Sequence, residues 1–455
     1  MSRSILWFRR DLRVSDHMAL AAAHAIGDVV PLFVVDPLFT SRSGLPRRAF
    51  MAKALDDLND RLGGALVFRH GDPTVVVPAL AAEVGADTVY VSRDFGPYGR
   101  RRDAEVAARL RADGRRLRGE GSPYAVDPGT IAKDDGTPYA VFTPFSRRWV
   151  AAGQPQWSQR PSTPRPGSVT WIGPDDVPTD APPDRPAVDI QLPPATAAAV
   201  HRHWTRFSGE RLDDYDLRRN LPAIEGTSRM SPALRWGLVH PYELLDDLTH
   251  SRAHDRYRTE LAWREFYADV LFHHPDSGWK NLQRKMDAMP VDTDAAAHRR
   301  FAAWRAGTTG YPIVDAGMRE LLGSGWMHNR VRMIVASFLV KDLHLPWQWG
   351  ARHFMQHLVD GDLASNSHGW QWTAGTGTDA APYFRIFNPT TQSERFDPDG
   401  HYIRQWVPEL RPLAGKQVHA PGASRPDAYP SPMVDHAVER NEALHRYKSV
   451  TSSSR

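Results

Sequence analysis

Short apolar runs alternate with helical stretches along residues 1–130. The runs "SILWF", "VVPLFVVD", "ALVFRH" and "DTVYVSRD" have the length of buried strands, and stretches such as "RRAFMAKALDDLNDRL" have helical spacing. This alternation predicts an α/β domain with a doubly wound parallel sheet. The run "YGRRRDAEVAARLRADGRRLRG" predicts an amphipathic helix with Val106, Ala107 and Leu110 facing inward.

From about residue 197 onward the apolar positions recur at helical spacing instead. Examples are "RTELAWREFYADVLFHH" and "NRVRMIVASFLVKDL", and no segment has a convincing strand pattern. We therefore expect an all-α domain over residues 197–445.

Residues 131–196 lie between the two domains. Because residues 155–194 carry 11 of the 37 prolines, we expect an irregular connector that crosses the surface.

The composition excludes several classes of protein. A chain of 455 residues is long enough for two domains, and the lack of cysteine removes disulfides, cysteine-ligated metals and thiol nucleophiles. The 57 basic residues are nearly offset by 53 acidic ones, so a net charge of +4 permits an anionic partner without requiring one. The start "MSRSILWFRRDLR" has too few apolar residues for a secretory signal, and no apolar run reaches membrane-spanning length. We expect a cytoplasmic monomer.

The segment "EGTSRMSPALRWG" has the pattern of a helix start. Thr227 and Ser228 precede Ser231 and Pro232, which predicts a hydroxyl cap followed by a first-turn proline. Hydroxyl and free N–H groups would converge there and suit a phosphate. Helix starts without ligands are much commoner, so this segment alone does not establish a phosphate site.

Two further segments mix hydrogen-bonding groups with flat apolar side chains. In "RTELAWREFY" the spacing places three such residues on one helix face: Glu260, Trp263 and Arg264. In "GWMHNRVRM" a second stripe contains Trp326, Asn329, Arg330 and Met333. The pattern is compatible with two ordinary salt-bridged helices. It is also compatible with a cavity where a base stacks on Trp263 while Glu260 and Asn329 meet its polar edge.

The stretch "DGDLASNSHGWQW" combines the carboxylates of Asp360 and Asp362 with tryptophans, which favours a planar cofactor with a polar edge. His353 and His357 lie one helical turn apart shortly before it. The glutamate of H-E-x-x-H is missing and no further ligand is evident, so we expect no metal site.

As a set, these motifs resemble the photolyase/cryptochrome flavoproteins, and within them the bacterial class I photolyases that repair cyclobutane pyrimidine dimers. The resemblance covers nearly the whole chain. It is carried, in family order, by "LWFRRDLRVSDHMAL", "EGTSRMS", "ELAWREFY", "GYPIVDAGMRELLGSGWMHNRVRM", "DGDLASNSHGWQW" and "TDAAPYFRIFNPTTQ".

The resemblance implies an antenna pigment in the α/β domain and a reduced, U-shaped FAD in the helical domain. The residues implied to bind FAD are Tyr215, Thr227, Ser228, Arg229, Met230, Ser231, Arg264, Arg332, Asp360, Gly361, Asp362 and Asn366. Arg332 would pair with Asp360, and Asp362 would meet the polar edge of the ring. Asn366 would face flavin N5, where a neutral amide avoids repelling an anionic ring.

The implied substrate is ultraviolet-damaged DNA with the dimer flipped out of the duplex. Its implied contacts are Arg219, Glu260, Trp263, Asn329, Arg330, Met333 and Trp372. In such enzymes the light-excited reduced flavin donates one electron, the cyclobutane ring opens and the electron returns. Glu260 would hydrogen-bond the thymine edge.

Two features depart from the family pattern. The string "RDFGPYGRRRD" lacks the Asn-Glu pair of folate-binding members, so we expect 8-hydroxy-5-deazaflavin near Asp94, Tyr98 and Gly99. Trp370 and Trp347 match the first two tryptophans of the chain that rereduces the flavin, but Asp294 occupies the position of the third. We expect the outer donor to be one of two other tryptophans, Trp349 or Trp304.

Three alternatives share parts of this pattern. A cryptochrome would have the fold and FAD without repair, but Asn366 and the intact substrate set oppose it. A six-four photolyase needs a histidine pair where this chain has Asn329 and Met333. A flavin electron-transfer protein without DNA is disfavoured by Arg219, Trp263 and Arg330.

Overall fold

The computed structural model describes residues 2–157, 164, 167–378 and 385–451. The motif residues 379–384 therefore lie outside the described part. The N-terminal domain contains a five-stranded sheet, formed by β1 (Ser2–Phe8), β2 (Gly27–Val35), β3 (Val67–His70), β4 (Thr88–Val91) and β5 (Arg116–Gly119). All neighbours in the order β3-β2-β1-β4-β5 are parallel. Its helices are α1 (Met18–His24), α2 (Pro37–Thr40), α3 (Leu45–Arg61), α4 (Pro73–Glu83) and α5 (Pro97–Ala112).

The central strand β1 is buried on both faces of the sheet. Ile5 and Trp7 contribute to the core under α4 and α5, whereas Leu6 and Phe8 contribute to the core on the other face. The alternation follows from the two-residue period of a strand. The predicted doubly wound domain is thus confirmed.

The prediction was wrong for the last strand. The basic run was expected to continue as a helix, but α5 ends at Ala112, Gly114 adopts a positive φ of 71°, and β5 follows as an edge strand. Exposed arginines are common on edge strands because charge discourages pairing with other chains. The basic composition of this run therefore does not indicate a strand.

The connector is more ordered than its prolines predict. It contains a helix, α6 (Phe142–Trp157), whose Phe145 and Trp149 are buried. Further on, Ile172 N–H donates to Val29 O on the sheet at 2.9 Å, and Val177 is buried in the sheet core. The connector therefore crosses the surface only in part, because the segment around Ile172 and Val177 packs against the sheet.

The C-terminal domain is helical, as predicted, with no strand in its described residues. Its helices are α7 (Ala197–Glu210), α8 (Tyr215–Arg218), α9 (Ser231–Trp236), α10 (Pro241–Asp246), α11 (Arg252–His273), α12 (Ala295–Ala306), α13 (Pro312–Ser324), α14 (Asn329–Ser337), α15 (Trp347–His357), α16 (Leu363–Ala374), α17 (Pro389–Phe396), α18 (His401–Trp406) and α19 (His436–Thr451). One core continues from the sheet into α7 to α11, and a second core joins α12 to α18. Because the first core is shared, the two domains meet along an apolar interface.

Candidate functional site

A large cavity lies where the two domains meet. Its volume is about 1410 Å³, and it is lined from the α/β side by Arg10, Arg47, Asp94, Tyr98 and Gly99, and from the helical side by Arg235, Trp347, Asp362 and Asn366. Three of the lining guanidinium groups have a buried nitrogen without a hydrogen-bond partner: Arg10 Nε, Arg47 Nε and Arg235 Nη1. The cavity therefore combines residues predicted for the antenna with residues predicted for FAD, and it offers unused donors to a bound group.

Two carboxylates precede α16 and each binds an arginine. Asp360 Oδ2 accepts from Arg332 Nη2 at 2.8 Å, which confirms the predicted pair. Asp360 Oδ1 is buried without a partner. Asp362 caps α16 through Ser365 N–H and accepts from Arg10 Nη2 at 3.0 Å. Although burial disfavours its charge, the neighbouring arginines lower the pKa of Asp362 to about 2, so this carboxylate is ionised at neutral pH.

The loop before α9 differs from a capped helix start. Met230 occupies the N-cap position and no side chain caps the helix, so the predicted hydroxyl cap is wrong. The Ser228 hydroxyl instead lies 2.8 Å from Tyr257 Oη. Arg229 has a positive φ of 50°, which is strained for a residue with a side chain. The Ser228 hydroxyl, which was expected to help cap the helix, therefore makes a tertiary contact from a strained loop.

Trp326 joins this loop to the carboxylates. Its indole N–H donates to Ser231 Oγ at 3.3 Å, and the Arg229 and Arg332 guanidinium groups lie 4.5 and 5.9 Å from the centre of its ring. The sequence placed Trp326 on a stripe of α14, but the residue precedes that helix, which begins at Asn329. Trp326 thus links two segments that are predicted to bind FAD, and the residue spacing did not predict this link.

One face of α11 carries the predicted substrate residues. The Trp263 ring is half-buried and stacks on Phe142 with centroids 3.7 Å apart and an angle of 6°. Glu260 forms an ion pair with Arg219, and the Arg219 guanidinium lies 5.5 Å from the Tyr215 ring centre. A carboxylate and a flat wall therefore stand beside a residue predicted for FAD.

Arg264 does not join this face. Its Nη2 donates to Pro123 O at 3.0 Å, and its guanidinium lies 4.7 Å from the Tyr124 ring centre. The shared face predicted from the spacing to Glu260 is therefore wrong for Arg264. Backbone acceptors in the segment after β5 attract its long side chain away from the substrate face.

The start of α14 carries three more predicted substrate residues. Asn329 is exposed, whereas Arg330 and Met333 are half-buried. Arg330 Nη2 donates to Asn220 Oδ1 at 2.9 Å, and its guanidinium lies 4.4 Å from the Phe396 ring centre. Ile334, Val335 and Phe338 are buried on the other side, as expected from helical spacing: all three are at most 1% exposed. The polar stripe is thus available to a ligand.

The predicted electron-transfer residues lie on α15 and α16. Asn366 Nδ2 donates to Ala351 O at 2.9 Å, which leaves the amide oxygen to accept from a ligand. The Trp370 ring contacts Phe354 and Trp304, with centroids 5.0 and 6.1 Å away. A Cβ on Gly350 would come within 2.1 Å of the Trp370 ring, so only glycine permits this approach. Trp372 is half-buried on α16.

Comparison with known proteins identifies the family. Residues 4–166 match the family described as DNA photolyase, and residues 257–449 match the FAD binding domain of DNA photolyase. Deoxyribodipyrimidine photo-lyase from Agrobacterium fabrum is 38% identical, with 99% of this chain and 98% of the relative covered. The chain belongs to the photolyase/cryptochrome family.

Solved structures of the family have the same fold. A bacterial class III photolyase from Agrobacterium tumefaciens aligns with a TM-score of 0.88 at 35% identity, covering 99% of this chain and 98% of that chain. A Synechocystis cryptochrome aligns with a TM-score of 0.87 at 28% identity, covering 98% of this chain and 99% of that chain. A photolyase from Sulfolobus tokodaii with two FAD molecules aligns with a TM-score of 0.81 at 28% identity, covering 98% of this chain and 100% of that chain.

The predicted antenna residues of this photolyase-family chain lie together. Asp94, Tyr98 and Gly99 all line the large cavity. Although burial disfavours the charge of Asp94, Arg10 and Arg102 hold the pKa of that carboxyl below its usual value. A Cβ on Gly99 would come within 2.2 Å of Asp94 Cγ, so glycine is required for this packing. Tyr98 Oη donates to Asp36.

Several residues of the photolyase-family site were not among the predicted site residues. Arg10 follows β1, so it stands at the carboxyl edge of the central strand, where ligands of such sheets bind; this signal was available. Phe142, Arg47 and Arg235 carried no comparable signal, because their contacts join distant segments of the chain.

The described residues contain neither a metal-binding cluster nor a membrane-spanning helix. No three or more histidine, aspartate or glutamate side chains converge there as a metal ion would require. His353 is buried with its ring 4.4 Å from that of His357, and burial together with this neighbour lowers the pKa of His353 to about 3. Within the same ranges, no helix has the length and apolar character needed to cross a bilayer.

Proposed function

We propose that the protein is a light-driven DNA lyase that splits cyclobutane pyrimidine dimers. The observation that carries the proposal is the arrangement on α11: Trp263 presents a flat wall braced by Phe142, and Glu260 lies beside it in an ion pair with Arg219. A flat wall and a carboxylate match a flipped pyrimidine pair, which has flat faces and an N–H edge. The full-length relatives named photo-lyases support the same reading.

The helical domain fits FAD. Arg332, Asp360 and Asn366 would hold the flavin, because Asp360 Oδ1 is a buried acceptor without a partner and Asn366 has a free amide oxygen. The loop from Thr227 to Ser231, with Tyr215 nearby, would hold the phosphates and ribityl chain. Reduced FAD supplies, when bound, the electron that opens the cyclobutane ring after light absorption.

The protein's own side chains account for selectivity. A dimer stacks poorly in the duplex, so flipping it costs less than flipping intact bases, and the apolar wall at Trp263 favours it once flipped. Glu260 accepts a hydrogen bond from the N–H edge of a thymine, and Arg219 keeps the carboxylate in place. Arg330 and Asn329 stand at the exposed start of α14, where the DNA backbone would pass.

The test is light-dependent repair by the purified flavoprotein. With fully reduced flavin we expect binding of irradiated oligonucleotide in the dark, and loss of dimers only under blue or near-ultraviolet light. An enzyme that leaves dimers intact under illumination would be a light receptor of the cryptochrome type. That alternative has support from the Synechocystis cryptochrome, whose fold is nearly as similar.

We also propose that the part of the cavity lined by Asp94, Tyr98 and Gly99 holds 8-hydroxy-5-deazaflavin as the antenna. The 8-hydroxyl group ionises readily, and the unpartnered nitrogens of Arg10, Arg47 and Arg235 offer donors to an anion. Reconstitution with deazaflavin, folate and a second FAD, followed by absorption spectroscopy, tests this choice. Deazaflavin should bind in equimolar amount and Asp94→Ala should lose it while retaining FAD; tighter binding of folate or a second FAD would refute the assignment.

A further inference from the structure

Trp347 contributes to the walls of two cavities. It lines the large cavity together with Asn366, and it also lines a smaller cavity of about 210 Å³. The smaller cavity is bounded by Pro290 and Val291, which shortly precede Asp294, the residue at the position of the family's third tryptophan. A molecule in the smaller cavity would therefore contact the predicted second electron donor directly.

Most of the lining of the smaller cavity is apolar and buried. Met286, Leu345, Ala374 and Ala443 are each at most 4% exposed. Thr376 is 1% exposed, and its hydroxyl oxygen is buried without a hydrogen-bond partner in the described part of the chain. A buried hydroxyl that makes no hydrogen bond costs free energy, and a ligand that bonds to it would remove that cost. The cavity thus combines apolar walls with one unused hydrogen-bonding group.

The charges in this lining are already paired. Each charged or titratable residue has an ion-pair partner: Arg446 with Asp292 at 2.7 Å, His344 with Glu439 at 2.7 Å, and Asp287 with Arg284 at 3.1 Å. A charged ligand would have no unpaired counter-charge and would lose its hydration, so the cavity favours a neutral ligand. The cavity is also smaller than the roughly 300–1,000 Å³ of sites for drug-sized molecules. Its size therefore suits a single aromatic ring.

We propose that the smaller cavity binds a neutral dihydroxybenzene of the hydroquinone type, which acts as the terminal electron donor to Trp347. The inference rests on the proposed function, because it takes Trp347 and Trp370 as donors to photoexcited oxidised flavin. The ligand ring packs against the indole and the apolar walls, and one of its hydroxyls bonds to Thr376. The cavity thereby provides a second entry for electrons beside the predicted route through Trp304.

The proposed step transfers one electron and releases one proton. When Trp347 has passed an electron to Trp370, its indole is a radical cation, and Asn281, which accepts the indole N–H at 2.8 Å, stabilises the positive charge. The dihydroxybenzene gives one electron to this indole and restores its neutral form. One hydroxyl proton passes to water near the exposed Asp287, and the ligand leaves as a neutral phenoxyl radical. Two such radicals disproportionate in solution to one dihydroxybenzene and one benzoquinone.

Two measurements on the FAD-containing protein, with hydroquinone as the probe, test the proposal. Titration calorimetry in the dark should show one binding site per chain. Under blue light the rate of flavin photoreduction should reach a plateau as hydroquinone concentration rises, with half-saturation near the calorimetric Kd. Ascorbate, which is an anion, should raise the rate in proportion to its concentration without a plateau.

Four variants locate the site. Thr376→Val keeps the shape of the side chain but removes the hydroxyl, so the Kd and the half-saturating concentration should rise roughly two- to tenfold, the value of one hydrogen bond. Ala443→Leu fills the cavity from α19 and should abolish both binding and the plateau. The matched control is Ala437→Leu, the same change at an exposed position of α19, which should alter neither. Trp347→Phe keeps an aromatic wall, so hydroquinone should still bind in the dark while the plateau disappears.

Equal FAD absorbance per protein verifies that each variant is folded. A rate that rises linearly with hydroquinone in wild type, or an unchanged Kd in Ala443→Leu, would overturn the proposal. If Ala443→Leu loses FAD, Thr376→Val decides, and an unchanged Kd in that variant refutes the site. Normal binding and a normal plateau in an enzyme that leaves dimers intact would instead count against the lyase function alone, because neither measurement requires DNA.

Discussion

The Trp263 ring lies flat on Phe142, with centroids 3.7 Å apart and planes 6° from parallel. Phe142 begins α6 in the connector, whereas Trp263 is in the middle of α11. One face of the indole is therefore covered by protein, and only the other can stack on a base. The connector thus helps to build the proposed substrate site as well as joining the domains.

Replacing Trp263 separates stacking from folding. Trp263→Ala removes a stacking surface worth roughly 1–3 kcal/mol, so we expect damaged DNA to bind about 5- to 150-fold more weakly. Phe142→Leu should have a smaller effect in the same direction, because it frees the indole without removing it. Dark titration with irradiated oligonucleotide measures both. If the two variants altered only the melting temperature, Trp263 would be a core residue.

Glu260 is expected to act on the chemistry more than on affinity. Glu260→Ala removes the acceptor for the thymine edge and releases Arg219. We expect several-fold fewer dimers split per absorbed photon, with damaged DNA bound at least as tightly, since a freed arginine favours a polyanion. The control is Glu225→Ala, which also releases an arginine, Arg211, but away from α11. A normal yield per photon in Glu260→Ala would contradict the assignment.

Trp370 should be the entry point for electrons that rereduce oxidised flavin. It lies one helical turn after Asn366 and is 3% exposed. Trp370→Phe keeps an aromatic body, so we expect normal folding and FAD content but almost no photoreduction under blue light with an external reductant. Repair by chemically reduced enzyme should persist. Trp171→Phe, in the connector, serves as the control; normal photoreduction in Trp370→Phe would mean that electrons enter elsewhere.

The ring contacts suggest where the outer donor lies. The ring centroids of Trp370 and Trp304 lie 6.1 Å apart, and Trp304 stacks on Phe301 with centroids 5.8 Å apart. The Phe301 centroid lies 5.3 Å from that of the half-buried Trp349. Because Trp304 is the buried neighbour of Trp370, Trp304→Phe should slow photoreduction more than Trp349→Phe does. Time-resolved absorption of flavin reduction measures both rates. Normal rates in both variants would instead favour an electron route through Trp347, the predicted second donor, whose indole N–H donates to Asn281 at 2.8 Å.

Glu265 should give the folded protein a specific pH dependence. Burial raises the pKa of Glu265 to about 7, although Ala125 N–H, Val126 N–H and the Trp149 indole donate to it. The unfolded value is about 4.3, so between ~4.3 and ~7 the folded state binds more protons and this contribution to stability falls as pH rises. The melting temperature of wild type should therefore decline relative to Glu265→Gln over that range. A constant or rising difference would show that the donors keep the carboxylate ionised.

The sequence determined the order and type of the main elements. Strands β1 to β4 are apolar runs of strand length, and α11 and α14 have helical periodicity. The pattern of apolar positions is therefore enough to predict these elements. The Arg332–Asp360 pair followed from the family resemblance. The edge strand β5 was missed because its burial is slight and its composition is charged, so local pattern carries little information there.

Tertiary structure decided which side chains share a site. Arg264 has the spacing to join Glu260, yet backbone carbonyls at Pro123 and Leu234 attract its guanidinium. Ser228 was expected to help cap a helix, yet its hydroxyl meets Tyr257. Phe142 under Trp263 and Phe396 under Arg330 are neighbours only because α6 and α17 pack there. Periodicity fixes the direction of a side chain relative to its own helix, but contacts between distant segments depend on the whole packing, which no local pattern encodes.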